Sequence, residues 1–467
     1  MKKLTFKQVA PFLVLATVAV ASIFIKPVAD FADASKYNGA DVAWIIVATA
    51  LVFLMTPGLA FFYGGMVHRK NVISTMIKSV VAAGIVSILW VVVGYSLAFG
   101  ESIKIGGYGV IGNPLTHLFF KGVNSGEPWS LAPTIPKTLF SLFQLMFAII
   151  TPGLVVGAVA ERIRFTSYIL FTVLFSLLVY APLAHWSWHP DGFLFKMGAL
   201  DFAGGTVVHI SAGCAALAGA LVLKRRKVHI ENREIPPANV PYVLIGTGLL
   251  WFGWFGFNAG SALGANALAV SAFATTNTAA GAAGLSWMFF DVLRGKKPSV
   301  LGFCIGAVVG LVAITPAAGF VAIPQSIFIG VIAAIISNLA VHLKQKSTLD
   351  DTLDVFPCHG IGGMMGMLLT GVFATKAVNA AGNDGLFLGN TSFFFIQVKA
   401  MAIAVAYSFT VSFAIFKFIN FILPIRVSEE DEEMGLDASQ HNEKYLQGTL
   451  LVHNNGSIQE TMADEHR

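Results

Sequence analysis

Apolar stretches of about twenty residues, separated by short polar connectors, recur along most of this chain. A helix of that length crosses the hydrocarbon of a bilayer. The stretches predict spanning helices at 42–66, 73–99, 138–160, 166–187, 202–223, 240–260, 276–293, 300–319, 324–343, 356–374 and 393–422, eleven in all. Many carry glycine or proline inside, which helices in lipid tolerate and soluble helices mostly do not. From Arg426 to Tyr445 the pattern inverts to RVSEEDEEMGLDASQHNEKY, charged and polar, so this tail leaves the membrane. The expected organisation is an all-α membrane protein with an N-terminal segment 1–40, a membrane domain 41–424 and a tail 425–467.

Charge orients the helices. The odd-numbered connectors, from Arg69 and Lys70 through Lys224–Arg233 to Lys344 and Lys346, carry most of the basic residues. The even-numbered ones and their edges hold only Lys104, Lys121, Lys137, Lys196, Lys376 and Lys399. Short cytoplasmic loops collect Lys and Arg. The first helix is therefore expected to enter from outside, and the tail to lie in the cytoplasm, beneath the plasma (inner) membrane. Ahead of it, Lys2, Lys3 and Lys7 precede an apolar run from Val9 to Ile25, and Ala32-Asp33-Ala34 has the small residues of a signal-peptidase site. The segment reads as a secretory signal or as one more helix; both put Asp41 outside.

Composition closes off other classes. Hydrophobic residues make up 56% of the chain, charged residues 12%, and mean hydropathy is +0.74. A soluble enzyme of this composition has too few polar residues for its surface, and disorder needs the opposite balance. The net charge of +5 is scattered over connectors rather than gathered on a face, which argues against nucleic-acid binding. Cys214, Cys304 and Cys358 sit in apolar stretches without CxxC or Cys/His zinc spacing and read as core residues. The glycine runs lack a phosphate-loop setting, and no Ser/His/Asp or Cys/His catalytic order emerges. No enzyme and no cofactor are expected.

His209, in GGTVVHISAG, and His359, in FPCHGIGGMMG, lie 150 residues apart, each beside glycines and each in the helix that closes a set of five. Five is odd, so a second set enters the membrane upside down, the inverted repeat of many transporters. An ionisable side chain inside a membrane helix is costly and marks a functional site by default. Neutral imidazoles can relay a proton or accept a hydrogen bond near physiological pH. A metal site is the rival reading, but no acid or cysteine recurs beside both histidines. Trp188, at the outer end of the fourth helix, reads as an interfacial belt residue or, through its ring face, as a cation site. Phe147 and Phe257 are aromatics among many. Ser261 lies one turn after Phe257, and Asp201 reads as the N-cap of the fifth helix.

These residues sit in stretches that resemble the ammonium transporter family, which includes the Amt, Mep and Rh proteins: TPGLAFFYGGMVHRKN (56–71), LWVVVGYSLAFG (89–100), VGAVAERIRF (156–165), GALDFAGGTVVHISAG (198–213), GWFGFNAGSA (253–262), ITPAAGF (314–320) and DVFPCHGIGG (354–363). The resemblance runs from the first helix to the tenth and implies eleven helices in two inverted halves, a homotrimer, and one narrow pore per subunit passing ammonium or ammonia. By motif position, Phe147 and Phe257 resemble the stacked gate; Trp188, Phe147 and Ser261 resemble the outer recruitment site; Asp201 resembles the buried acid supporting it; His209 and His359 resemble the twin pore histidines. Trp186 is the alternative to Trp188, whose presence favours the Amt branch over the Rh branch. Leu145 and Met146 replace the small residues usual between the Gln and the gating Phe, so a reshaped vestibule is expected. The tail resembles the family's regulatory C-terminus, with Gly435 as a hinge, Glu429–Glu433 facing the basic loop at Lys224–Lys227, and a PII-type signalling protein as the expected partner. Residues 446–467 are assigned no role. The alternatives are an electroneutral Rh-like channel for ammonia or carbon dioxide and an ammonium sensor.

Overall fold

The computed structural model describes residues 6–25, 34–124, 127–445, 449–454 and 457–462. Among them, nine helices are long and apolar enough to cross a membrane. In chain order, with the shorter elements between, the helices are α1 (Phe6–Ile23), α2 (Gly39–Met66), α3 (Arg69–Phe99), α4 (Lys137–Val159), α5 (Phe165–Trp188), α6 (Gly205–Leu223), α7 (Val240–Ala262), α8 (Ala267–Leu293), α9 (Val300–Ile314), α10 (Ile323–Gln345), α11 (Phe356–Phe373) and α12 (Thr391–Ile422). Two expected spans differ from the sequence reading. The helix expected at 276–293 begins nine residues earlier, where Asn266 caps it by accepting from the Ala269 N–H at 3.0 Å. The helix expected at 300–319 stops at Ile314, and Thr315–Phe320 is a series of turns.

The helix α1 is formed, with Phe12 and Val14 exposed, as suits either reading of the N-terminus. Residues 32 and 33 of the Ala32-Asp33-Ala34 motif lie outside the described residues. Two antiparallel hairpins add to the all-helical expectation: β1 (Ser102–Ile105) with β2 (Tyr108–Gly112), and β3 (Thr449–Asn454) with β4 (Ser457–Met462) in the tail.

Helices α4 and α6 are the most enclosed elements, and they pack against each other at the centre. Around them α2 pairs with α7, α8 with α9 and α10, and α12 lies along α6. Close approach depends on missing side chains. A Cβ on Gly246 would lie 2.3 Å from the Phe62 N, and one on Gly310 2.4 Å from the Ala279 O, so α7 meets α2 and α9 meets α8 at backbone distance. Such small-residue seams drive helix association where lipid supplies no hydrophobic force.

The tail folds back on its own chain. Short helices Glu429–Met434 and Leu436–His441 are joined at Gly435, whose φ of 101° lies in the region that favours glycine. Glu432 accepts from the Lys227 N–H at 2.8 Å and pairs with Arg426 at 2.6 Å, and Glu433 pairs with Lys227. Asp437 caps α3, accepting from Ile73 at 3.1 Å and Ser74 at 2.7 Å. The acidic run therefore meets the Lys224–Lys227 loop within one chain.

Candidate functional site

A vestibule of about 340 Å³ opens at one end of the helix bundle, and Phe147, Trp188, Asp201 and Ser261 all line it. Trp188 stands edge-to-face on Phe147 with centroids 5.8 Å apart. Its indole N–H donates to the Asp201 carbonyl at 3.1 Å, which fixes the ring and leaves its π system free. Trp186 turns elsewhere: its N–H donates to the Val110 carbonyl at 2.6 Å and its ring meets Tyr407. Leu145 and Met146 are buried in the core and do not line the vestibule, so the expected reshaping at those positions is not seen.

Ser261 donates its hydroxyl proton to the Phe257 carbonyl at 2.8 Å. Its remaining capacity is lone pairs, so toward the vestibule it can only accept. Asp201 is half-buried rather than buried, and its carboxylate is spent on the start of α6. Oδ1 accepts from the Gly204 and Gly205 N–H groups at 2.8 and 2.6 Å, and Oδ2 from the Thr206 N–H at 2.8 Å and from its hydroxyl. This is N-capping carried to most of the free amides of one helix end.

The floor of the vestibule is closed by Phe147 and Phe257, with centroids 4.3 Å apart and both rings buried. Phe257 sits in a π-helical turn, Phe255–Ala259, one of several such turns in the bundle and a distortion that often marks functional sites. Below the pair, His209 lies 6.0 Å from Phe257 and 5.4 Å from Trp254, nearly parallel to both. His209 and His359 approach through their Nδ1 atoms at 3.4 Å. A void of about 10 Å³ touches both histidines, Trp254 and Phe257, and another of about 20 Å³ continues past His359 to Tyr63 and Met66. Each is of the order of one small molecule.

The hydrogen-bond network orders the imidazole protons. The Thr315 hydroxyl donates to the Leu311 carbonyl at 2.7 Å and accepts from the Trp254 N–H at 2.9 Å. His209 Nε2, 3.4 Å from the same oxygen, must then be the donor. That leaves His209 Nδ1 as an acceptor for a proton on His359 Nδ1, and His359 Nε2 with a free lone pair, an assignment that follows from the network.

The second histidine is held as the first is. Asp351, eight residues before His359 as Asp201 is before His209, accepts from Val355 at 3.0 Å and Phe356 at 2.7 Å. Both histidines sit in π-helical turns, Gly205–Ile210 and Phe356–Ile361. The glycine four residues after each packs on the other half. A Cβ on Gly213 would fall 2.2 Å from the Gly360 Cα, and one on Gly363 would fall 3.1 Å from the His209 Cβ. Asp201 borders the vestibule, whereas Asp351 lies beside the charged cluster at the opposite end, so the two capped helices start from opposite ends and meet at their histidines.

That cluster bounds cavities of about 210 and 150 Å³. Arg226 binds Asp350 with two nitrogens, at 2.8 and 3.0 Å, and Glu161 at 2.5 Å. Burial pushes the Asp350 carboxyl up, but Arg162 and Arg226 outweigh it and hold it well below the usual carboxylate range.

Sequence reasoning missed Asp351, Thr315 and Trp254. Only Asp351 left a signal, the acid repeated eight residues before each histidine. The profile of the Ammonium Transporter Family matches residues 43–445, which takes in the vestibule residues and both histidines. The chain belongs to the ammonium transporter family. It is 48% identical over 413 residues to an ammonium transporter of Bacillus subtilis, covering 88% of this chain and 99% of that one. Among solved structures it resembles Saccharomyces cerevisiae Mep2, with a TM-score of 0.79 at 36% identity over 85% of this chain and 89% of that one. It also resembles a protein described as a sensor Amt protein, with a TM-score of 0.77 at 30% identity, covering 86% and 98%. As a member of this family the chain is a multi-pass membrane transporter and not an enzyme.

Proposed function

We propose that this transporter recruits ammonium in the vestibule, strips a proton from it at the aromatic gate, and conducts ammonia past the two histidines. The observation that carries the reading is the sequence of environments from Trp188 to His359. Hydrocarbon is prohibitive for a bare cation unless its hydration is replaced. Trp188 and Phe147 supply π faces, roughly 0.5–2 kcal/mol each, and Ser261 supplies lone pairs only. A cation that donates hydrogen bonds suits this wall, and potassium cannot donate. The Phe147–Phe257 contact leaves no open path for a hydrated ion. Neutral ammonia fits the small voids below, where His359 Nε2 offers it an acceptor, and the histidine pair is the path for the released proton.

The vestibule is read as external and the Arg226 cluster as cytoplasmic, from the basic connectors. With this orientation the tail packs beside the inner mouth, where a homotrimer and a PII-type partner would be regulated together. The plasma (inner) membrane is the proposed location.

The test is ammonium-dependent current in proteoliposomes, with potassium as the control ion. Wild-type current with ammonium alone and its loss in His209→Ala and His359→Ala support the reading. Uptake without current would favour an electroneutral channel, and wild-type rates in both variants would make the histidines structural.

A further inference from the structure

We propose that Cys358, Met66 and His359 form a binding site for a soft monovalent cation, copper(I) or its redox-stable analogue silver(I). An ion held there stops transport if ammonia passes this point; that consequence rests on the pore reading above, and the site itself does not. The three residues line one void of about 20 Å³, whose wall is completed by Tyr63, Phe62, Ile305, Val308 and Leu353. A space of that size takes about one small guest, so the groups on its wall share it. Cys358 is a free, buried cysteine and the neighbour of His359 in the π-helical turn Phe356–Ile361. His359, 4% exposed, spends Nδ1 on His209 and keeps the Nε2 lone pair. Met66 is the last residue of α2 and brings a thioether. The Tyr63 hydroxyl proton is committed to the Leu154 carbonyl at 3.0 Å.

The donor set selects the metal. Calcium, magnesium and manganese want oxygen ligands, and no carboxylate lines this void. Zinc wants several His, Cys or acidic ligands, and among the described residues no three such side chains gather. Thiolate and thioether sulfur select copper(I). Charge points the same way. A bare cation among apolar side chains is prohibitive. At Cys358 the thiol proton leaves as the sulfur–metal bond forms, so one positive charge enters, one departs, and the filled void stays neutral. Potassium forms no such bond. Met66 and Leu353 also line the cavity of about 210 Å³ at the Arg226 cluster, so ion and proton exchange through that end without crossing Phe147 and Phe257. Cys214 and Cys304 are buried thiols as well, but they line neither of the two voids at the histidines.

The experiment adds silver nitrate, in chloride-free buffer, to the purified protein and to proteoliposomes carrying ammonium current. Native mass spectrometry counts the silver bound per subunit, and each variant's current is scaled to its own silver-free value. Loss of even a supporting group costs about 10–100-fold in metal affinity. The half-blocking silver concentration should therefore rise about 100-fold or more in Cys358→Ser and about tenfold in Met66→Leu. In His359→Ala, read by binding alone, affinity should fall about tenfold. Cys214→Ala and Cys304→Ala should keep the sensitivity of the wild type. Because each silver displaces one proton, the wild-type half-blocking concentration should rise about tenfold for each unit by which pH is lowered. Wild-type silver binding in Cys358→Ser, or its loss in Cys214→Ala or Cys304→Ala, would overturn the proposal. Silver bound through Cys358 with full current would uphold the site and defeat the reading of these voids as the ammonia path.

Discussion

Gly213→Ala tests how tightly the two histidine-bearing helices are locked together. The added Cβ would lie 2.2 Å from both the Cα and the N of Gly360, and 3.1 Å from the His359 carbonyl carbon. All three are backbone atoms, so no side chain can swing aside. Restoring ordinary contact near 3.4 Å needs the helices to part by about 1.2 Å. The His209–His359 contact is already 3.4 Å long. An opening of that size takes it to about 4 Å or more, beyond hydrogen-bonding range. Overpacking of this kind costs about 1–3 kcal/mol or more, set against a gain of up to about 1 kcal/mol from replacing glycine by alanine in a helix. The balance predicts lower thermal stability together with loss of ammonium current. Gly363→Ala, whose Cβ would meet the His209 Cβ at 3.1 Å, should do the same more mildly. The assay pairs current in proteoliposomes with melting of the detergent-purified protein. Wild-type current and a raised melting temperature in Gly213→Ala would mean that the helices do not touch as described.

Three further outcomes are expected. A cysteine placed at Lys227 should be shielded from an impermeant thiol reagent in intact cells and one at Asn124 should be labelled; the reverse pattern would invert the topology. At the vestibule end, burial and then the stacked His185 ring hold His189 down at about 4, so its neutral form is favoured in the fold. Stability from this site is present above about pH 6.5 and is lost as pH falls toward 4; the protection of the adjoining 102–112 hairpin amides, taken relative to their intrinsic exchange rate at each pH, should fall across that window, and less so in His189→Gln. Gly435→Val places a side chain 2.6 Å from the Lys70 Cβ at a φ of 101°. It should release the tail to proteases and change transport, and an undisturbed tail would refute the tight turn at Gly435.

Much of this architecture was legible because a bilayer imposes a length on every apolar segment. The expected bounds of α2, α4 and α5 lie within three residues of those found. The reading failed where length stopped being the constraint. The short α9 ends at Ile314, just ahead of Thr315 and Pro316, and a proline has no N–H to continue the ladder; a reading by apolar length alone runs through that stop. The two histidines stood out because charge-bearing side chains are rare in such helices. Thr315 and Trp254 did not, since threonine and tryptophan are ordinary there and meet His209 only through the fold. Asp351 was hidden by its neighbours: three aspartates fall between 350 and 354, and only the hydrogen bonds separate the cap from the ion-pairing acid at Asp350.

The repeated aspartate, histidine and glycine have a consequence for direction. A passage built from one unit used twice, head to head, has no inherent forward sense; run backwards, it would look the same. Any preference for import over export must reside in what the copies do not share. Toward the vestibule the shared unit is flanked by Phe257, Trp254 and Thr315, and toward the other mouth by Tyr63, Met66 and Cys358. The first set offers rings and a committed hydroxyl, the second a phenol and two sulfur atoms. Rectification, if measured, should follow exchanges among these flanking residues, while exchanges within the repeated unit should slow traffic equally both ways.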